Sequence, residues 1–298
     1  MMRITRREFA AGMAASFLVP HAFGQTREAS VLTRAIPHGG EQLPCVGLGT
    51  ASVFDSNSDD TRRSAMQVVN TLVGAAGRLI DTASTYGDAE IVLGSVIASE
   101  LLRGRIFIAT KLEEPDEAEL KRSLARLRAS KLDLLQLHNV RDPRQSLARF
   151  RAWKAQGICR YIGITSTYHS DFDAVAAVLG AEKPDFVQID YSIDDRTVEG
   201  RILPLAADVG AGVLTALPFG RGRLFRAVRG KTVPDWAKGF AASWAQFFLK
   251  WLLADERVTV VIPGTSSAAH MADNLGALRG RLPDREERAR MLSFISNL

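Results

Sequence analysis

The chain has 298 residues and an ordinary globular composition, with 46% hydrophobic and 24% charged residues. Its length suffices for one large α/β barrel or for two smaller domains. The formal net charge is +5, but the basic residues are scattered and not interleaved with aromatic residues, so we expect no nucleic-acid binding. Two cysteines make no disulfide framework, and no apolar run reaches the roughly 18 residues of a membrane span, so we expect no stable membrane anchor.

The first 24 residues have the pattern of a secretory signal peptide. Three arginines precede an apolar or small stretch at 9–20, and the triplet at 22–24 has small residues at both outer positions, as a cleavage site requires. The segment at 5–9 also resembles the core of a twin-arginine signal. The sequence therefore predicts a twin-arginine-type signal peptide over 1–24, an interaction with the export machinery, and a periplasmic location. Without use of the signal, the protein would stay in the cytoplasm.

From residue 30 onward, short apolar segments alternate with segments of helical length. Apolar runs at 31–36 and 43–46 flank a glycine turn at 38–40, which predicts a β-hairpin. The strands expected after it lie at 47–50, 79–80, 105–110, 132–137, 161–164, 186–189, 213–216 and 258–262. The helices expected between and after them lie at 60–73, 89–102, 115–127, 143–155, 172–179, 202–209, 241–253 and 270–278 and from 284 onward. Asp88 and Glu90 are expected as the cap and first-turn acid of the helix that begins at 89.

Repeated βα units predict a parallel sheet with helices outside it. Eight such units in about 250 residues are typical of a (β/α)8 TIM barrel, here with an N-terminal β-hairpin and spanning residues 30–298. A doubly wound open sheet is the alternative. That fold would require a GxGxxG motif after the first strand, and Gly47-Leu48-Gly49 supplies only part of it.

Polar side chains stand at the expected C-terminal ends of several strands, where barrel enzymes carry their active sites. Asp81, Lys111 and His138 end the second, third and fourth strands, and Tyr86 follows Asp81 by five residues. Taken singly, each residue has an ordinary explanation: a cap, a solvated lysine or a hydrogen-bonded histidine. Because neighbouring strands bring all of them to one rim, the sequence favours a site.

These residue types suit proton transfer to a carbonyl group. A free tyrosine has a pKa of about 10, and a nearby ammonium favours its phenolate. Tyr86 could then act as a general acid near neutral pH, with Lys111 paired to Asp81 and with His138 orienting the carbonyl oxygen. The chain has no nucleophile elbow and no HExxH or CxxC spacing, so we expect neither a serine hydrolase nor a metal site. The set favours carbonyl reduction by a hydride-carrying cofactor.

Seven segments, in order and with similar spacing, resemble the aldo-keto reductase family. They are GLGT at 47–50, IDTASTYGDAE at 80–90, IATK at 108–111, LDLLQLHN at 132–139, YIGITS at 161–166, PDFVQIDYS at 184–192 and VVIPGTSSAAHMADN at 260–274. The resemblance runs from about residue 31 to 280. It implies an NAD(P)-dependent oxidoreductase with a catalytic tetrad of Asp81, Tyr86, Lys111 and His138.

The resemblance also implies a nicotinamide cofactor, usually NADP(H), held without a Rossmann domain; NAD(H) is the alternative. The implied contacts are Thr165, Ser166 and Gln188 for the carboxamide, Leu217, Phe219 and Arg221 for the pyrophosphate, Gly264, Thr265, Ser266, His270 and Asn274 for the adenosine end, and Gly49, Thr50 and Asp81 at the first strand ends.

Three positions depart from the family pattern. Thr165-Ser166 replaces a common Ser-Asn pair, and Ala216 stands where many members stack an aromatic ring on the nicotinamide. Gly264 and His270 occupy positions that often carry Lys and Arg for the 2′-phosphate. These departures leave NAD(H) as the alternative to NADP(H).

The sequence thus predicts an exported reductase of small aldehyde, ketone or sugar carbonyls, or a dehydrogenase of the matching alcohols. A slow or non-catalytic nucleotide-binding sensor or accessory subunit on the same barrel is the alternative. The substrate would be selected by loops at 50–60, 139–143 and 219–241, which indicate a partly apolar pocket. The sequence predicts no particular oligomeric state.

Overall fold

The computed structural model describes residues 30–113, 115–140 and 142–298. The predicted signal peptide at 1–24 lies outside the described residues. One compact unit spans Val31–Leu298. It opens with an antiparallel hairpin of β1 (Thr33–Ala35) and β2 (Gln42–Pro44), in which Arg34 is opposite Leu43. The N-terminal hairpin predicted from the sequence is therefore confirmed.

Eight parallel strands follow in sequential spatial order. They are β3 (Leu48–Gly49), β4 (Leu79–Asp81), β5 (Phe107–Leu112), β6 (Leu132–His138), β7 (Cys159–Ser166), β8 (Phe186–Asp190), β9 (Gly212–Ala216) and β10 (Val260–Val261). Parallel bridges from Val46 to Val261 and from Gly49 to Gly264 join the first strand to the last. The predicted (β/α)8 barrel is confirmed, because the sheet closes on itself.

Helices cover the outside of the barrel. They are α1 (Asp59–Gly74), α2 (Ala89–Ser99), α3 (Glu117–Arg126), α4 (Pro143–Ala155), α5 (Phe172–Glu182), α6 (Ile202–Val209), α7 (Arg223–Ala227), α8 (Trp244–Leu253), α9 (Ala268–Leu275) and α10 (Arg285–Ser296). Five of these helices follow a cap residue whose side chain accepts a bond from a backbone N–H in the first turn: Ser58, Asp116, Ser243, Ser267 and Asp284. Among the described residues, no helix is long and apolar enough to cross a membrane.

Apolar side chains fill the barrel at the N-terminal ends of its strands. The rings of Phe107, Tyr161 and Phe186 lie 5.7–6.3 Å apart, an attractive range for aromatic pairs. Ile36 and Leu43 of the hairpin belong to the same buried cluster. The hairpin therefore closes this end of the barrel, and the C-terminal strand ends remain available for a site.

The segment between β9 and α8 contains more structure than the loop predicted from the sequence. It includes α7 and two short 3₁₀ turns, Gly220–Gly222 and Asp235–Ala237. Phe225 of α7 packs against Phe219 and Phe248, with ring centroids 4.8 and 5.9 Å away. These contacts attach the segment to α8 and give the mouth of the barrel one defined wall.

Candidate active site

A cavity of about 640 Å³ opens at the C-terminal ends of the strands. This volume lies within the range of small-molecule sites. Nine residues predicted from the sequence to contact the cofactor line the cavity: Gly49, Thr50, Asp81, Thr165, Gln188, Leu217, Phe219, Arg221 and Gly264. Tyr86 and His138 line it as well. The fold therefore brings most of the predicted site to one place.

A buried ion pair forms one side of this site. Asp81 ends β4, and Lys111 lies on the neighbouring strand β5 two residues beyond the partner of Asp81, so both face the barrel interior. The Lys111 ammonium donates to Asp81 Oδ2 at 2.6 Å and to the Thr82 carbonyl at 2.7 Å. Both side chains are almost completely buried. Two charges in such an interior must compensate one another.

The pair determines the charge of the site. Burial acts to lower the pKa of Lys111, but Asp81 and Tyr86 outweigh it and hold the pKa above its ordinary value. Burial raises the pKa of Asp81, and the Lys111 ammonium offsets part of this effect. Because it donates a hydrogen bond to Asp81 at 2.6 Å, Lys111 stays an ammonium at neutral pH. A positive charge is thereby fixed beneath the cavity.

Tyr86 reaches this charge through a tight turn. The Lys111 ammonium lies 4.9 Å from the centroid of the Tyr86 ring. Gly87 follows at φ +51°, and a Cβ there would approach the Asp55 carbonyl oxygen to 2.4 Å. Only glycine fits this position without displacement of the backbone. The Gly87 turn therefore places the phenol between Lys111 and the cavity.

His138 lies beside Tyr86 on the same side of the cavity. The two rings meet edge to face with centroids 5.7 Å apart, and His138 Nδ1 lies 3.2 Å from the Thr85 hydroxyl. Burial, with a smaller effect of Lys111, lowers the pKa of His138 to about 4. The imidazole is therefore neutral at neutral pH, and a neutral imidazole can donate one hydrogen bond to a carbonyl oxygen.

Two glutamines complete the surroundings of Asp81. Gln188 Nε2 lies 3.3 Å from Asp81 Oδ2, and Gln136 Nε2 lies 3.3 Å from Asp81 Oδ1. Gln136 also donates to Gln188 Oε1 at 2.8 Å. Gln136 is not among the residues that the sequence predicted for the site. Its signal was present in LDLLQLH, where the one polar residue two places before His138 must share the inward face of the strand.

The remaining predicted cofactor residues do not line the cavity. They are Ser166, Thr265, Ser266, His270 and Asn274. The Ser166 hydroxyl donates to Asp171 at 2.8 Å and accepts the backbone N–H of Tyr168 at 3.1 Å. Thr265 and Ser266 precede α9, and His270 and Asn274 lie within it. The Ser267 hydroxyl accepts the N–H of His270 at 3.3 Å. Their contacts with a cofactor stay predictions.

Asp88 and Glu90, two acids near Tyr86, occupy the predicted positions at the start of α2, as the cap residue and the first-turn acid. The Asp88 side chain does not cap α2 but accepts the backbone N–H of Asn57 at 3.0 Å. Glu90 is also part of a hydrogen-bond network that extends beyond α2. It is buried, and it accepts from Thr110 at 2.7 Å and from Arg126 at 2.8 Å. Both acids bind segments distant in sequence, which fixes α2 and the loop before α1 around the Tyr86 turn.

Acidic residues also lie at the rim, near Arg221. Burial and the neighbouring Asp195 raise the pKa of Asp190 to about 6, and Arg221 and His169 offset part of this effect. His169 Nε2 lies 2.8 Å from Asp195 Oδ2.

Leu217 and Arg221 adopt left-handed backbone with φ of 53° and 52°. Such conformations cost energy for residues other than glycine, and they concentrate at functional loops.

Residues 45–291 match the Aldo/keto reductase family. The chain belongs to the aldo/keto reductase family. Its relatives include an aldo-keto reductase of Mycolicibacterium smegmatis (strain ATCC 700084 / mc(2)155), 26% identical over 248 residues that cover 78% of this chain and 81% of the relative. The 6-dehydroglucose reductase of Novosphingobium aromaticivorans is 28% identical over 282 residues, with 83% and 90% coverage. Membership makes this protein an oxidoreductase.

Solved structures share the fold of this aldo/keto reductase. An enzyme of Klebsiella pneumoniae in complex with NADPH has a TM-score of 0.75 at 24% identity, covering 89% of this chain and 95% of the other. A structure from the same organism, with NADP and acetate, has a TM-score of 0.74 at 24% identity, with 86% and 93% coverage. At this level of identity the likeness establishes the barrel.

Proposed function

We propose that this aldo/keto reductase uses NADP(H) to reduce a small aldehyde, ketone or sugar carbonyl, or to oxidise the matching alcohol. The observation that carries the proposal is the buried Asp81–Lys111 pair, whose ammonium lies 4.9 Å from the Tyr86 ring at the wall of the cavity. His138 lies beside Tyr86 on the same wall. These are the groups that proton transfer to a carbonyl oxygen requires.

The residues present fit a nicotinamide cofactor. Gln188 uses one N–H and one lone pair within the protein, so a second N–H and a second lone pair remain for a carboxamide. Thr165 adds a hydroxyl on the cavity wall, and the exposed Arg221 guanidinium suits a pyrophosphate. Two Klebsiella pneumoniae structures of the same fold hold NADP or NADPH. Because Gly264 and His270 replace the usual Lys and Arg, NAD(H) is the alternative.

The protein would move one proton while the bound nicotinamide supplies or accepts the hydride. Tyr86 donates its hydroxyl proton to the carbonyl oxygen as the carbonyl carbon is reduced, which yields the alcohol. The Lys111 ammonium stabilises the phenolate that remains, and Asp81 keeps Lys111 in place. Neutral His138 donates a hydrogen bond that orients the carbonyl oxygen and stabilises its developing charge. In the reverse direction the phenolate accepts the proton.

The test follows NADPH absorbance in the presence of a panel of aldehydes, ketones and sugars. We expect the wild-type protein to consume one NADPH per alcohol formed. Tyr86→Phe should lower kcat by about 10²- to 10⁴-fold, the usual contribution of a general acid. Its affinity for NADPH should be unchanged. Equal turnover by Tyr86→Phe would refute the role of the phenol, and tight nucleotide binding without turnover would favour a sensor.

We also propose that residues 1–24 export the protein to the periplasm. The support is the order of basic, apolar and small residues in this segment, with adjacent arginines at 6 and 7. Fractionation of cells that express the full chain should recover mature protein beginning at Gln25 in the periplasm, still carrying nicotinamide nucleotide. Replacement of both arginines by lysine should retain the protein in the cytoplasm. Periplasmic protein without nucleotide would contradict the expectation that the cofactor binds before the protein is exported.

A further inference from the structure

Gln136 is a buried residue that the proposed reaction does not use directly. It lies on β6 two residues before His138, its side chain is fully buried, and it does not line the cavity. It therefore cannot touch a substrate. Its amide nevertheless contacts two residues that do line the cavity, Asp81 and Gln188. A role for Gln136 must act through one of these two partners.

The Gln136 amide uses both of its N–H groups on neighbouring acceptors. One N–H points at Gln188 Oε1, 2.8 Å away, and the other at Asp81 Oδ1, 3.3 Å away. Its own oxygen, Oε1, has no hydrogen-bond partner among the described residues. An unpaired buried carbonyl oxygen costs free energy. Rotation of the amide by 180° would be worse, because it would point that oxygen at the Asp81 carboxylate and the Gln188 oxygen. The Asp81 charge thus fixes the orientation of Gln136.

Gln136 in turn fixes the plane of the Gln188 amide. Gln188 donates from Nε2 to Asp81 Oδ2 at 3.3 Å, and this bond alone would leave the amide free to rotate about it. The second bond, from Gln136 to Gln188 Oε1, removes that freedom. These two hydrogen bonds fix the amide plane, and with it the directions of the remaining N–H and lone pair of Gln188. Gln188 lies on the cavity wall, so a ligand in the cavity would meet an amide that is held in one plane.

We propose that Gln136 is a positioning residue that orients the Gln188 amide toward the nicotinamide carboxamide and links that orientation to the Asp81–Lys111 pair. The proposal rests on the proposed function, since it needs a nicotinamide in the cavity. The hydrogen bonds of Gln136 bridge β4, β6 and β8. They therefore connect Gln188, which would hold the nicotinamide ring, to the Asp81–Lys111 pair beneath Tyr86.

The test compares Gln136→Met, which keeps the approximate volume and removes both donors, with the matched control Leu134→Met. Leu134 lies on the same strand and inner face and is fully buried in the apolar cluster. Affinities are measured by fluorescence titration with two probes, NADP⁺ and ADP-ribose 2′-phosphate, which lacks the nicotinamide. We expect Gln136→Met to weaken NADP⁺ binding about tenfold, the value of one directed hydrogen bond. It should leave ADP-ribose 2′-phosphate binding unchanged, and Leu134→Met should change neither.

A double-mutant cycle with Gln188→Met tests whether Gln136 acts through Gln188. The effect of Gln136→Met on NADP⁺ affinity should disappear when Gln188 is already methionine. Should Gln136→Met not fold, Gln136→Asn retains a buried amide too short to reach Gln188, and we expect the same loss for NADP⁺ alone.

Two results would overturn the inference by showing that Gln136 does not act through Gln188. They are equal weakening of both probes, which is the result of a merely structural role, and full additivity in the cycle. If the wild-type protein binds neither probe, the proposed cofactor is wrong. NADP⁺ binding that Gln136→Met leaves intact refutes this inference and leaves the proposed function standing.

Discussion

Replacement of Lys111 by methionine tests the structural basis of the site most severely. Methionine fills much of the same volume but removes the ammonium. Asp81 would then remain as a buried carboxylate with only two amide donors, Gln136 and Gln188, each at 3.3 Å. Removal of one partner from a buried ion pair costs about 3–5 kcal/mol. At about 2–4 °C per kcal/mol for a large domain, we expect Tm to fall by roughly 6–20 °C.

The double variant Asp81→Asn with Lys111→Met separates stability from catalysis. With both charges removed, no unpaired carboxylate remains, so we expect most of the lost stability to return. Turnover should stay at least about 10²-fold below wild type, because the ammonium that stabilises the Tyr86 phenolate is absent. The matched control is Lys121→Met on α3, whose i,i+4 pair with Glu117 is exposed and should leave Tm unchanged.

Thermal unfolding by circular dichroism, together with NADPH consumption for each variant, provides the assay. Unfolding of Lys111→Met at the wild-type temperature would refute the buried, charged state of Asp81. Recovery of full activity in the double variant would refute the role of the ammonium in proton transfer.

Three further predictions concern single titratable groups. The pKa of His138 is about 4 in the folded protein and 6.5 in the unfolded chain, so the stability that neutral His138 contributes is present above pH 6.5 and is lost as pH falls toward 4. His138→Gln should therefore lose less stability in acid than wild type. NMR titration of His138 should find a pKa near 4. Asp190 is the opposite case, because its folded pKa of about 6 exceeds 3.8. The stability that protonated Asp190 contributes is fully present below pH 3.8 and lost above pH 6. Asp190→Asn should therefore raise Tm at pH 8 and leave it unchanged at pH 3.5. Glu90→Gln should lower the free energy of unfolding in urea by about 2 kcal/mol, because Arg126 and Thr110 lose a charged acceptor. An unchanged urea midpoint would contradict a stabilising role of this buried network.

The barrel and the core of its site could be predicted from the sequence because both follow from local patterns. Each strand is a short apolar run, and parallel closure places the ends of neighbouring strands together. Asp81, Lys111 and His138 therefore converge at the rim. The position of Tyr86 also has a local cause, since Gly87 permits the turn that places the phenol above Lys111.

Other features depend on partners distant in sequence and could not be predicted in this way. Glu90 was predicted correctly as a first-turn acid of α2, but its buried contact with Arg126, 36 residues later, was not. The Ser166 hydroxyl is engaged by Asp171 only because the chain turns back after β7. Gln136 was visible as an inward polar residue, but its two acceptors lie on β4 and β8. Only the assembled barrel brings these groups within reach of one another.

The most direct test of the central claim measures deuterium transfer to a carbonyl substrate from NADPH that carries deuterium at both C4 positions of the nicotinamide ring. The wild-type protein and Tyr86→Phe are compared at equal nucleotide saturation. We expect wild type to deliver the label to the carbonyl carbon of the product alcohol. We expect Tyr86→Phe, with NADPH bound equally tightly, to deliver it at least about 10²-fold more slowly. Label that never reaches the product, or reaches it equally fast in both proteins, would contradict carbonyl reduction with Tyr86 as the proton donor.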